Sequence, residues 1–347
     1  MPTNNKISHS LRRKFRLSEF LAEKIIKAVS FVSFAAIILI FVFVFREASP
    51  IFFQGEEKVQ STEFSQSETY GDDTEQTQKN VDNYASLTGA GSDESVTFNN
   101  LISKNWQPVS AKPKYGLIPL FIGSLKATLI AILFGAPLAI LAALYSALFA
   151  PKKLRELIKP VIELLASFPS VVIGFFALIT LASLFQNIFG YQFRLNSFVG
   201  GIAMSLAVIP IIYTVTEDAL AAVPKYFTEA SLALGANKWQ TALFVVMPAA
   251  TPGIFAALLL GFGRAFGETM IALMATGNAP LSSFNIFEPV RTLSATISAE
   301  MAEVVFGDTH YTVLFFIGAI LFIITFILNA IAEFYVRAKL MKRFRGE

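Results

Sequence analysis

EASLALGANKWQTALFVVMPAATPGI, residues 229–254, is the stretch on which the reading of this chain turns. Ala230, Leu232, Ala233 and Leu234 favour a helix. Gly235 permits a sharp left-handed exit from it, and Asn237 or a close neighbour can start a second helix. That second helix runs to Met247-Pro248, where a long apolar run begins. The product is a short helix–turn–helix feeding into a membrane-length segment, a small rigid knob on one membrane face. On physics alone, an ordinary amphipathic connector fits the same residues.

Outward from this stretch, the composition agrees with a chain in lipid. Of 347 residues, 54% are hydrophobic and 15% charged, where soluble proteins carry about 25% charged residues. Thirty-five Phe against nine Tyr and two Trp make the apolar excess bulk hydrocarbon, not a few anchors in a polar fold. The absence of Cys excludes disulfides, thiolate metal sites and a cysteine nucleophile. Only His9 and His310 offer imidazole, so the residues suggest no catalytic site, no metal centre and no cofactor. A net charge of +3 is too small to argue for nucleic acid.

A spanning helix needs roughly 20 apolar residues, and six such runs occur, at 28–45, 117–150, 160–184, 198–213, 249–275 and 313–332. The expected fold class is therefore an all-α membrane protein with six transmembrane helices. Residues 1–27 carry Lys6, Arg12, Arg13, Lys14, Arg16, Lys24 and Lys27, which places the amino terminus in the cytoplasm. The first run is read as an uncleaved helix and not a signal peptide, because it is long and no small-residue cleavage site follows it. Residues 46–116 form a polar, acidic segment on the non-cytoplasmic side, too polar to bury much of a core, in which Leu101 to Trp106 can pack locally. The loop at 151–159 is basic, and so is the tail at 335–347, so both termini are expected inside. The loop at 214–247 is cytoplasmic by parity.

Charges within the spans are few. Lys126 is expected to snorkel to the outer interface, and Glu163 to meet Lys159 or a cytoplasmic neighbour. Arg264 and Glu268 fall in the fifth run four residues apart, a spacing at which helical side chains can meet. Neither charge is expected to face lipid. Ala257, Gly261, Ala265, Ala272 and Ala275 form a stripe of small residues around them, a face suited to a subunit interface or a pathway. Arg264 could supply positive potential to a crossing oxyanion, with Glu268 orienting it and easing release; a purely structural ion pair fits the same residues. Pro169 bends the third run, and Ser170 beside it is a further pathway candidate.

Glu229-Ala230, Gly235 five positions after that Ala, and a hydrophobic stretch ending in Pro248 resemble the EAA loop of permease subunits from binding-protein-dependent ABC importers. LLASFPSVVIGFFAL (164–178) and GFGRAFGETMIALMATGN (261–278) are similar to phosphate-specific importer permeases of the PstC type; the R-A-x-G-E core is also similar to sulfate and molybdate permeases. The resemblance covers about 119–334, and the long acidic segment departs from it. It implies a type I (MetI-like) permease fold over 117–334, with an EAA loop at about 216–248. It further implies that Glu229, Ala230 and Gly235 couple to an ATPase subunit, since no phosphate-binding loop occurs in this chain. The partners implied are two ATP-binding subunits, a second related permease and a periplasmic phosphate-binding protein, in the inner membrane. The rival readings are a permease for sulfate, molybdate or tungstate, and, more distantly, a membrane sensor or scaffold.

Overall fold

The structure, a computed structural model, describes residues 17–53, 98–110 and 112–345, with side chains for 20–51, 100–110 and 112–334. The basic residues expected to orient the amino terminus, Lys6 to Arg16, and most of the acidic segment lie outside the described residues, as do the side chains of the basic tail.

Six described helices are long and apolar enough to cross a membrane: Phe20–Ala48, Ile118–Leu148, Ser170–Phe189, Ser197–Ala221, Lys238–Phe266 and Thr309–Phe334. The second and fourth spans pack along their length and form the heart of the bundle. Small residues make this possible. Ala127, Ala131, Ala139, Ala143 and Ala203 are fully buried, and a methyl group on Gly201 would lie 2.5 Å from Ile130. Without a water-driven hydrophobic force in lipid, such close backbone approach supplies the packing energy. The fifth span closes on the fourth in the same way: a methyl on Gly261 would lie 2.6 Å from Ile212 and one on Gly253 2.3 Å from Ala219.

The small-residue stripe of the fifth span therefore has its partner inside the chain. Ala257, Gly261, Ala265, Ala272 and Ala275 are buried, not turned toward a pathway or another subunit. The first span, by contrast, stands at the edge, exposed over most of its length, and touches the last span through Phe41 on Phe322 and Phe43 on Phe315. Apolar all round, it is suited to lipid.

Three spans begin or end elsewhere than the apolar runs suggest. Lys152–Ser167 is a separate helix whose apolar residues Leu157, Val161 and Leu164 are exposed while Arg155 and Lys159 point to the fourth span. Phe168 and Pro169 are extended, so Pro169 separates two helices where a kink within one was expected. The fifth span ends at Phe266; Gly267 to Thr269 break it, and Met270–Ala275 continues as a short helix. The fourth span runs on to Ala221, so Glu217 and Asp218 belong to its last turns and not to a loop.

Lys126 does not snorkel. It is buried, and its Nζ donates to the carbonyls of Ser283 (2.9 Å) and Asn285 (2.8 Å). Lys159 pairs with Glu217 (3.5 Å) and not with Glu163. At the end of the bundle opposite the 222–237 connection, Leu101, Trp106 and Tyr115 join a second buried cluster with Phe266, Leu293 and Leu314. Trp106–Gln107 and Lys114–Tyr115 form a two-stranded antiparallel hairpin there. The described end of the acidic segment thus packs locally, as its Leu and Trp suggested, and contributes to a core.

Candidate functional site

Arg264 lies in the last turn of the long fifth-span helix, where a cation is favoured by the helix dipole. Its Nε donates to the carbonyl of Ala207 at 3.1 Å. That carbonyl belongs to the fourth span, a little ahead of Pro210. The two Nη groups of Arg264 bond no described residue, and Arg264, exposed, lines a recess of about 440 Å³.

The recess is lined by Ile211, Leu260, Gly263, Gly267, Glu268, Thr325 and Asn329 besides Arg264. It brings Arg264 and Glu268 to one wall, but they form no ion pair within 4.0 Å. The reason is the helix break. With Phe266 the last helical residue, Glu268 leaves the four-residue register that would have stacked it on Arg264. Its backbone is held instead, its carbonyl accepting from Ser294 Oγ at 2.8 Å.

Ser170 opens the third span and is half-buried, but it does not line the recess. Its helix packs on the short Met270–Ala275 helix, where a methyl on Gly174 would lie 3.1 Å from Met274 Sδ. Thr325 and Asn329 are recess residues that the sequence reading missed. The available signal was their four-residue spacing as the two polar side chains of an otherwise apolar stretch at 313–332. Among the described residues no group of three or more His, Cys, Asp or Glu is placed to hold a metal.

The knob is built as a local unit. Lys225–Ala233 forms its first helix, Gly235 takes φ +89° in the turn, and Asn237 and Gln240 form a reciprocal capping box at the start of Lys238–Phe266. Ser231 Oγ and Thr241 Oγ1, 2.9 Å apart and buried, tie its two legs together. Glu229, Ala230 and Gly235 are exposed, flanked by exposed Tyr226, Leu232, Leu234 and Trp239. Such a concentration of apolar side chains outside the bundle marks an interaction surface.

Beside the knob, Glu217 is buried at the end of the fourth span. Arg155 reaches it from the 152–167 helix at 2.7 Å and Lys159 at 3.5 Å. At the opposite end, Glu300 accepts from Trp106 Nε1 (3.0 Å), His310 Nε2 (2.9 Å) and Arg291. Burial alone would raise the Glu300 carboxyl, but the bonds from His310 and Trp106 and the charge of Arg291 outweigh it and hold it below the ordinary value. Burial, with Asp308 and Glu300 nearby, pushes the Tyr115 hydroxyl up to about 12.

Residues 135–340 match the family described as binding-protein-dependent transport system inner membrane component. The chain is 35% identical over 227 residues to the probable ABC transporter permease protein YqgH of Bacillus subtilis, covering 65% of this chain and 74% of that protein. It is 33% identical over 256 residues to the phosphate transport system permease protein PstC of Mesorhizobium japonicum, covering 68% and 77%. Among solved structures, the MetNI methionine ABC transporter in an inward-facing conformation aligns with a TM-score of 0.46 at 20% identity, covering 63% of this chain and 94% of that one. Six apolar helices, the fifth ending in a break and a knob joining the fourth to the fifth, thus accompany a family match over most of the bundle. The chain belongs to the inner membrane components of binding-protein-dependent transport systems.

Proposed function

We propose that this chain is a PstC-type permease subunit that carries inorganic phosphate inward, by alternating access, as part of an ABC importer. Relatives bearing the name PstC, at 33% and 32% identity in Mesorhizobium japonicum and Mycobacterium tuberculosis, support the substrate. The observation that carries the transport role is Arg264, a cation in a spanning helix whose Nη groups bond no described residue and which lines a recess together with Glu268. Arg264 attracts the anion, and Glu268 keeps the attraction weak enough for release. Ser170, off the recess, is a secondary pathway residue at a helix start.

Energy comes from outside the chain. The sequence holds no phosphate-binding loop, so a pair of ATP-binding subunits hydrolyses ATP and the knob, with Glu229, Ala230 and Gly235, transmits their closure. A periplasmic phosphate-binding protein delivers the ion and a second related permease completes the pathway. Both termini are cytoplasmic, and the span-bearing unit extends over 117–334. The knob reading is supported by the exposure of its apolar residues.

The test is uptake of labelled phosphate by the reconstituted importer carrying Arg264→Ala or Arg264→Lys. Loss of one charge-assisted contact of about 1.5–3 kcal/mol slows uptake by at least tenfold in Arg264→Ala, with partial retention in Arg264→Lys. Normal uptake in both variants, at normal assembly, overturns the pathway role. Labelled sulfate and molybdate in the same assay separate the phosphate reading from its oxyanion rivals.

A further inference from the structure

Asn329 stands in the last span within a run, 313–332, whose other polar side chain is Thr325 one turn earlier. An amide facing hydrocarbon leaves both donor and acceptor unsatisfied, which is unfavourable by roughly 1–3 kcal/mol on protein scales. Asn329 is exposed in this chain, and neither its Nδ2 nor its Oδ1 bonds a described residue. It does not face an arbitrary surface: it lines the recess with Arg264 and Glu268, and a methyl on Gly263, next to Arg264, would lie 3.6 Å from Asn329 Oδ1.

The recess therefore offers a mixed set of groups. Arg264 presents two unbonded Nη groups as donors. Thr325 Oγ1 donates its hydrogen to its own helix, to Leu321 O at 2.8 Å, which leaves its lone pairs as acceptors. Glu268 adds acceptor oxygens, and the Asn329 amide supplies both a donor edge and an acceptor edge. Pure donors would suit any anion. A set that also contains acceptors suits an ion carrying both charged oxygens and a bound hydroxyl, such as a hydrogen-bearing tetrahedral oxyanion.

We infer that Asn329 is a substrate-binding residue of the pathway, its amide hydrogen-bonding the hydroxyl or a free oxygen of the oxyanion that Arg264 attracts. This rests on the reading that Arg264 lies on the pathway. The amide contributes where Arg264 cannot, by accepting a proton-bearing edge of the ion, and its neutrality keeps the site from holding the ion too tightly.

The experiment uses the complete importer in proteoliposomes with its binding protein. It compares Asn329→Leu, Asn329→Gln and Arg264→Ala for complex yield, ATP hydrolysis and labelled phosphate carried per ATP. Asn329→Leu is expected to assemble and hydrolyse ATP normally but to carry about three- to tenfold less phosphate per ATP, the loss of one hydrogen bond; Asn329→Gln recovers most of it. Wild-type phosphate per ATP in Asn329→Leu overturns the inference. So does a parallel fall in complex yield and ATP hydrolysis, which would make the amide a contact to another subunit's helix. If Arg264→Ala loses transport while Asn329→Leu does not, only the role of Asn329 fails. If both transport normally, the pathway reading falls as well.

Discussion

Glu217, buried, and Glu300, partly buried, are carboxylates at opposite ends of the bundle, and each meets two basic side chains, yet their partners sit in different surroundings. The Glu217 side chain is 6% exposed while Arg155 and Lys159 are 38% and 47% exposed. Glu300 is 13% exposed, and its partners Arg291 and His310 are only 18% and 11% exposed. At the first site a loosely covered surface helix holds down one buried acid. At the second, acid, base and Trp106 are enclosed together, with the hairpin, the 291–300 region and the last span bound into one body. The end bearing the knob is thus tied by cations that water reaches, and the far end by an enclosed network.

The contrast can be broken most directly by the same substitution at each site. Glu300→Ala leaves Arg291 Nη1, Trp106 Nε1 and His310 Nε2 enclosed without their shared acceptor, while Arg291 Nε keeps Asn278, a loss of about 3 kcal/mol. A large drop in thermal stability in detergent should follow, with protease sensitivity appearing around the Trp106–Tyr115 hairpin. An unchanged melting temperature would refute the locked far end.

A smaller effect is expected at the knob. Gly235 has φ +89° and no heavy atom within 4 Å of where a Cβ would stand, so Gly235→Val meets backbone strain and no clash, about 1–2 kcal/mol. Insertion and folding should survive while substrate-stimulated ATP hydrolysis in the importer falls; unimpaired stimulation would separate the turn from coupling. Glu217→Ala, the counterpart of the first substitution, frees two cations that can rehydrate, so its stability loss should be about 1 kcal/mol or less. A loss matching that of Glu300→Ala would erase the distinction between the two ends.

The mildest probe is pH. Because the folded Glu300 carboxyl titrates below its ordinary value of 4.5, its stabilising contribution is complete above that value. It is lost as pH falls through the lower, folded value. Melting temperature should therefore decline on acidification below about pH 4.5, and Glu300→Gln should flatten that limb. An identical acid limb in the variant would assign the decline to other carboxylates.

What could be read from the residues was what neighbours in sequence decide. Gly235 and Asn237 signalled the turn and the second helix start because caps are local, and the structure places φ +89° and a capping box there. Six spans emerged because apolar length is likewise local. The apolar run 160–184 overstates the third span at its start because it takes in the end of a surface helix: Val161 and Leu164 are as apolar as a span, but with Leu157 they repeat at helical steps against Arg155, Lys159 and Glu163. Arg264 and Glu268 were correctly placed near one another, but their pairing assumed helix continuity through Gly267, where the chain breaks. Lys126 with Asn285, Arg155 with Glu217, and Asn329 with the recess join residues far apart in sequence, and no local pattern encodes them.

The helix from Lys238 to Phe266 carries one further consequence. It starts in the capping box of the knob and reaches Arg264 as one piece, widened by a π turn at Ala242–Val246 close to the knob. At 1.5 Å per residue the beam from Lys238 to Arg264 is about 39 Å long. Phe266, just beyond Arg264, is buried in the far-end cluster, so that end is the fulcrum, and a tilt of only about 5° about it moves the knob end by roughly 3 Å, the length of a hydrogen bond. With its far end bolted, the bundle turns a small tilt of one beam into displacement at the knob.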